Sequence, residues 1–283
     1  MDSPGNQPVL VTTDFTEVSD YAIDNAAVMA RVLNSKVIIL HVPDKYTQRM
    51  LKKEKKPESY INEKLETTAS QIQMKHGIEA IPLMKKGKLF KIIAETERDN
   101  DVLLHFLGTH GKRGLQCITG SFALKLIKRS SVPVVVVQKP AGNVSYKRIV
   151  YPLDLQLGSK QKVKWAKILH QAAGSHFDML VDNYNDKYTD RKLNADLKQV
   201  VEILEHNNIP YSSNCAKPRG SFSRQVVEFA KENNADAIMI SSDPDKLTCN
   251  PFNREEERVL YNPEQIPVMF INSKNLHLVI GGA

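Results

Sequence analysis

The sequence predicts an α/β protein made of two successive copies of one unit, each a parallel sheet with helices on both faces. Three observations predict it. Short, almost wholly apolar runs rich in Val, Ile and Leu alternate with longer runs of helical periodicity, the pattern of strands buried on both faces and their covering helices. The runs come in the same order in both halves of the chain. The length, 283 residues, is close to twice the roughly 150 residues of an average domain.

The first unit opens with a strand over residues 8–13. Val18, Ala22, Ala26, Met29 and Leu33 then recur at three to four residue spacing and predict a helix over 16–33. Lys36-Val-Ile-Ile-Leu-His-Val42 reads as a buried strand over 36–42, with His41 as a hydrogen-bonded structural residue. A helix over about 58–76 stops at Gly77, a good C-cap residue. A strand at 79–84, a helix at 88–98 and a strand at 101–107 follow, then a Gly-rich loop over 108–120, a helix at 120–130 and a strand at 134–138.

The second unit repeats that order. Its strands are expected near 148–152, 177–182, 210–216, 236–241 and 267–272, and its helices near 159–173, 187–206, 221–233 and 253–262. Trp165 shares a helical face with Val163, Ile168 and Leu169, which makes it a core residue. The repeat is visible in the residues themselves. Val9-Leu-Val-Thr-Thr-Asp14 answers to Ile149-Val-Tyr-Pro-Leu-Asp154, 140 residues on. Gly87-Lys-Leu-Phe answers to Gly220-Ser-Phe-Ser, and Val132-Pro-Val-Val-Val-Val137 to Ile266-Pro-Val-Met-Phe-Ile271. The linker-like stretch Pro140-Ala-Gly-Asn-Val-Ser145 separates domains over 1–140 and 146–274.

Composition excludes several classes. Hydrophobic residues at 41% and charged residues at 25% fit a folded chain and not a disordered one. No window approaches the ~18 uninterrupted apolar residues of a membrane span. The polar start Met-Asp-Ser-Pro-Gly-Asn-Gln-Pro lacks a signal-peptide pattern, so a cytoplasmic location is expected. Cys117, Cys215 and Cys249 cannot all pair within one chain, and no CxxC or Cys/His cluster offers a zinc site. The net charge of +7 is mild; its one dense run, Lys52, Lys53, Lys55 and Lys56, reads as a solvated loop or helix start, and nucleic acid is not an expected partner.

The most informative stretch is Gly108-Thr-His-Gly-Lys-Arg-Gly-Leu-Gln-Cys-Ile-Thr-Gly-Ser121. It follows a buried strand and leads into a helix. Glycine lets the backbone approach a ligand, and a helix N-terminus offers free amide donors to anions. Two readings stay open on physics alone: a phosphate cradle, or a plain connection ending in a Gly-Ser helix cap. Neither the GxxxxGK[ST] nor the GxGxxG pattern is present.

Gly108-Thr-His-Gly111, Gly120-Ser121, the following helix and Val132-Pro-Val-Val-Val-Val137 together resemble the end of a universal stress protein domain. Val11-Thr-Thr-Asp-Phe-Thr16 and Leu40-His-Val42 are similar to that family's first two strand ends, so the first unit, and through the repeat the whole chain, resembles a tandem universal stress protein. The resemblance implies two tandem α/β sandwich domains, each with a five-stranded parallel sheet of Rossmann-like type. It also implies ATP binding in the first. By position, Asp14 would lie near the ribose or a magnesium ion, and Val42 would offer its main chain to adenine. Gly108, Gly111, Gly120 and Ser121 would hold the phosphates, and Thr12, Thr13, His110 and Phe122 would line the pocket. Eight residues separate Gly111 from Gly120, one fewer than the family's nine.

The second unit has no glycine between Gly220 and Gly281. It is therefore expected to have lost the nucleotide motif and to pack on the first as two such domains pack in a family dimer. Asp14 reads equally as a helix cap, and Cys117 as a redox-responsive thiol near a helix start or as an apolar filler beside Ile118. No nucleophile, base and orienting group come together, so at most slow ATP hydrolysis is expected. The expected function is a stress-response protein that binds ATP in its first unit and acts as a switch or interaction module, with an unknown protein partner and a homodimer both open. The rival expectation is a nucleotide-free scaffold.

Overall fold

A computed structural model describes residues 7–109, 120–155, 162–184, 186–242 and 254–272. The chain divides into two units, Met1–Ser145 and Tyr146–Ala283.

The first unit runs β1 (Val9–Thr12), α1 (Glu17–Val32), β2 (Val37–His41), α2 (Lys45–Glu54), α3 (Ser59–His76), β3 (Ala80–Met84), α4 (Leu89–Asp99), β4 (Leu104–Gly108), α5 (Gly120–Arg129) and β5 (Val134–Val137). Its strands lie in the order β3-β2-β1-β4-β5, all parallel. β1 is central, and Val9, Leu10 and Val11 are wholly buried. At roughly 1.5–3 kcal/mol for each buried aliphatic side chain, such strands need no polar alternation, which is why they read as continuous apolar runs. α1 buries Val18, Ala22, Ile23, Ala26, Ala27 and Met29. α3 buries only the stripe Ile61, Leu65, Ala69 and Ile72 and ends at Gly77, in the left-handed region with φ of 67°.

Two elements differ from expectation. The sequence reading has no helix over 45–54. Of α2's residues only Thr47 is buried, so there is no apolar stripe to see. Its start is fixed by a capping box: the Asp44 carboxylate accepts from Thr47 N, while the Thr47 hydroxyl faces Asp44 N. The lysine run is solvated as expected but ends this helix instead of starting one. Lys52 and Lys53 occupy its last turn, where cations favour the helix dipole. β4 also begins later than expected, because Asp101 takes a left-handed conformation with φ of 49° before the strand.

The second unit runs β6 (Arg148–Leu153), α6 (Val163–Ala173), β7 (His176–Val181), α7 (Lys187–His206), β8 (Tyr211–Cys215), α8 (Phe222–Glu232), β9 (Ala237–Ser242), α9 (Arg254–Leu260) and β10 (Val268–Asn272). Within this unit the order is β8-β7-β6-β9-β10, again all parallel, with the second and third strands laid down on one side of the first and the fourth and fifth on the other, as in the first unit. Trp165 is buried on α6, as its spacing predicts.

Lys162, just before α6, is a departure from ordinary core composition. It is 1% exposed. Its ammonium donates to Pro152 O and sits 4.3 Å from the centre of the Tyr151 ring. Burial outweighs the nearby Asp154 charge and pushes its pKa down to about 8. The unfolded lysine, near 10.5, therefore holds its proton more tightly, and stability rises with pH between the two values. A rise of about 3 kcal/mol from pH 8 to 10.5 is expected, at ~1.4 kcal/mol per pH unit. Denaturant titration of parent and Lys162→Met across that window checks it; equal slopes in the two would sink the reading.

Candidate functional site

In the first unit the chain lays down β1, β2 and β3 outward in one direction, then crosses back to put β4 on the other side of β1. The strand order reverses between β1 and β4, and in open parallel sheets ligands bind outside the strand ends at such a point. The residues just past those two ends are Thr13 and Asp14 after β1, and Thr109 after β4.

Asp14 is partly used by the fold. Its Oδ1 accepts from the main-chain N of Thr16 at 3.1 Å and from the Thr16 hydroxyl at 2.5 Å, which fixes the turn into α1. Its Oδ2 has no hydrogen-bond partner among the described residues. The Thr13 hydroxyl pairs with Ser19 Oγ at 2.9 Å and accepts from Phe15 N at 3.0 Å. Phe15 is thereby held at φ of 61°, a left-handed conformation that costs a bulky residue about 1–3 kcal/mol and collects at ligand sites and switches. Its ring lies 4.5 Å from that of His41, with the Lys64 ammonium 4.5 Å from its centre.

His41 is structural, as expected. It is 2% exposed, its Nδ1 donates to Thr13 O at 2.7 Å and its Nε2 pairs with Thr47 Oγ1 at 3.1 Å. Burial lowers its pKa against the pull of the Thr13 carbonyl and the Asp44 and Asp14 charges, which favours the neutral ring. Val42 follows it at the end of β2. Its main-chain N–H and C=O find no partner among the described residues. A cavity of about 460 Å³ begins at the next residue, Pro43, and is walled by Leu51, Ile61 and the Lys86–Glu58 ion pair. It lies under α2 and away from the strand-order reversal.

Thr109 was not singled out by the sequence. It is fully buried, its N donates to Val137 O at 3.0 Å, and its hydroxyl has no partner among the described residues. Buried hydroxyls are rarely left so. Only its place in the Gly-rich stretch could have marked it.

The remaining expected site residues have other neighbours. Gly108 ends β4 against α1: a Cβ there would lie 2.0 Å from Val18 O and 2.5 Å from Val18 C. Thr12 is buried, with Oγ1 3.3 Å from His105 Nε2. Phe122 stacks on Phe90 of α4 at 5.2 Å, with the Arg129 guanidinium 4.8 Å from the Phe90 ring centre. Gly120 and Ser121 form the first turn of α5. His110, Gly111 and Cys117 lie outside the described residues.

The sequence also gave no sign of a buried polar cluster below the site. Glu97 Oε1 accepts from His105 Nδ1 at 2.9 Å and from Ser130 Oγ at 2.8 Å. Its Oε2 accepts from Ser131 N and Oγ, both at 3.0 Å. Burial raises the Glu97 pKa, but these donors outweigh it and hold the carboxyl below its ordinary value.

The model of the universal stress protein family matches residues 5–138. A universal stress protein from Archaeoglobus fulgidus is similar with a TM-score of 0.73 and 16% identity, over 96% of this chain and 100% of its own. The cytoplasmic domain of a prokaryotic cation chloride cotransporter gives 0.54 and 13%, over 95% and 96%. A universal stress protein in complex with cAMP gives 0.37 and 22%, over 47% and 96%. At such identities the likeness speaks of fold alone. No curated protein matches the chain. Among the described residues, no helix is long and apolar enough to cross a membrane.

Proposed function

The chain carries a universal stress protein domain over residues 5–138, and on that premise we propose that its first unit binds an adenine nucleotide and acts as a nucleotide-dependent switch or interaction module. One observation carries the reading: the Thr109 hydroxyl is buried without a partner among the described residues where the strand order reverses, the position at which such sheets take ligands. Asp14 Oδ2 and the main chain of Val42, both without a hydrogen-bond partner among the described residues, stand at the neighbouring strand ends, and the first turn of α5 starts with Gly120-Ser121. Amides at a helix start suit phosphate. Main-chain groups at Val42 suit the edge of a base.

Magnesium would arrive with the phosphates. No group of three or more His, Cys, Asp or Glu able to hold a metal occurs among the described residues. A magnesium–nucleotide complex commonly needs only one or two protein carboxylates, and Asp14 can supply one.

Calorimetric titration of the full chain, freed of carried-over nucleotide, with Mg·ATP is expected to give one site per chain. The double variant Gly111→Val, Gly120→Val should abolish it. Thr109→Val is the sharper probe. Removing an unpartnered buried hydroxyl should leave stability unchanged or higher, while affinity falls about tenfold, the worth of one hydrogen bond of ~1–1.5 kcal/mol. A folded, nucleotide-free chain that binds no ATP would move the protein to the scaffold class.

A further inference from the structure

The second unit, expected to be inert, keeps a cavity at the matching end of its own sheet. It measures about 190 Å³ and is formed by the ends of β6, β7 and β9 with α8 and α9. Drug-sized ligands occupy roughly 300–1,000 Å³. At ~30 Å³ for each water displaced, the space corresponds to about six waters or a molecule of similar heavy-atom count.

Its charge also turns away phosphate. Among the described residues, Asp154, Asp182, Glu255 and Glu256 bring four carboxyl groups to the wall, against the ammonium of Lys162 and the Arg258 guanidinium that pairs with Glu255 at 3.0 Å. The amide end of α8, which could receive an anion, is already taken: Glu255 Oε2 accepts from Ser223 N at 3.2 Å and from Ser221 Oγ at 2.8 Å. Burial is the main cause holding the Asp182 carboxyl above its ordinary value, with the Asp154 and Glu255 charges adding to it. A cation placed there would relieve that repulsion.

Two buried donors face the same space. Ser241 is 6% exposed and its hydroxyl has no partner among the described residues. Lys162 carries three N–H donors; Pro152 O and the Tyr151 ring take two directions and leave one over. The register Val150↔Ile238 continues to set Ser241 level with Leu153, next to Asp154. Asp182 follows β7, on the opposite side of β6. The cavity therefore sets two buried donors, Lys162 and Ser241, beside the carboxylates that follow β6 and β7, Asp154 and Asp182, with Glu255 and Glu256 of α9 completing the described wall.

We propose that this cavity binds a small zwitterion, an amino acid with a short side chain, whose carboxylate accepts from Lys162 Nζ and Ser241 Oγ and whose ammonium pairs with Asp154 and Asp182. The site is independent of the nucleotide site of the first unit. Full-length protein is titrated with L-alanine, L-serine and L-threonine, and with acetate and ethylamine, each of which carries half of the charge pattern. One amino acid should bind at one site per chain, at least tenfold more tightly than acetate or ethylamine. Ser241→Ala should weaken it about three- to tenfold and Asp182→Asn at least tenfold, with thermal unfolding confirming that both variants fold. The Gly111→Val, Gly120→Val variant should bind it as the parent does, whether or not ATP binding survives. Failure of all three amino acids to bind the folded parent overturns the proposal. So does ethylamine binding as tightly as the amino acids, or amino-acid binding that is lost with the first-unit glycines.

Discussion

Gly108→Ala is expected to cost the first unit about 4 kcal/mol or more, beyond the usual range of single substitutions. A side chain there would meet the backbone of α1, with Val18 O only 2.0 Å from the new Cβ. Backbone cannot rotate away as a side-chain end can, so either the first turn of α1 or the end of β4 must shift. That movement would also drag Asp14, whose carboxylate is tied to Thr16 at the start of the same helix. Gly77→Ala is the control. Gly77 has φ of 67° and open space around it, so its loss should be only about 1 kcal/mol of backbone strain. Chemical denaturation of both variants decides. A Gly108→Ala loss no larger than that of Gly77→Ala would mean that the close approach to α1 is not what requires glycine.

Glu97→Ala is expected to cost about 3–5 kcal/mol, the toll of breaking a buried charged network by removing one member. His105 bears most of it. Its ring is wholly buried, and its Nδ1 would lose the only hydrogen-bond acceptor it has among the described residues. Ser131 is at the surface and can turn to water. The same network predicts an acid response. The carboxyl is held below its ordinary value of 4.5 when folded, so its stabilisation is complete above pH 4.5 and drains away as pH falls through the folded value. Glu97→Gln should flatten the acid limb of the stability curve relative to the parent. An unchanged limb would show that other carboxylates govern it.

Much of this architecture was legible because strands buried on both faces leave continuous apolar runs, and glycine marks helix ends such as Gly77. The parallel order of the second unit followed from its repeat of the first. What escaped was held by polar contacts. α2 rests on one capping box and one buried threonine, which no periodicity records. The Glu97–His105 pair joins a helix to a strand through two residues eight apart, and nothing in either local pattern announces it. The candidate site was legible as a place more than as a set of contacts. Asp14 proved to be half-buried, with one carboxylate oxygen accepting from Thr16, the residue that caps α1. Gly108 and Phe122, read first as ligand residues, have packing partners of their own. Lys162 stayed hidden because a lysine at a helix start ordinarily faces water, whereas this one turns inward onto a ring and a carbonyl.

The outer strand of the first unit bears on how the protein behaves when crowded. β3 lies at one end of its sheet and is only half buried, so its outer side offers a template on which a foreign strand could grow. Pro82 sits in its middle, opposite Ile39, and has no N–H to offer such a strand. Lys85, Lys86 and Lys88 follow directly, and any incoming strand would have to approach three positive charges. The edge is thus poorly suited to recruiting further chains. Pro82→Val would restore the missing donor to a β-prone segment, and its cost would be expected to appear as aggregation on heating rather than as lost stability.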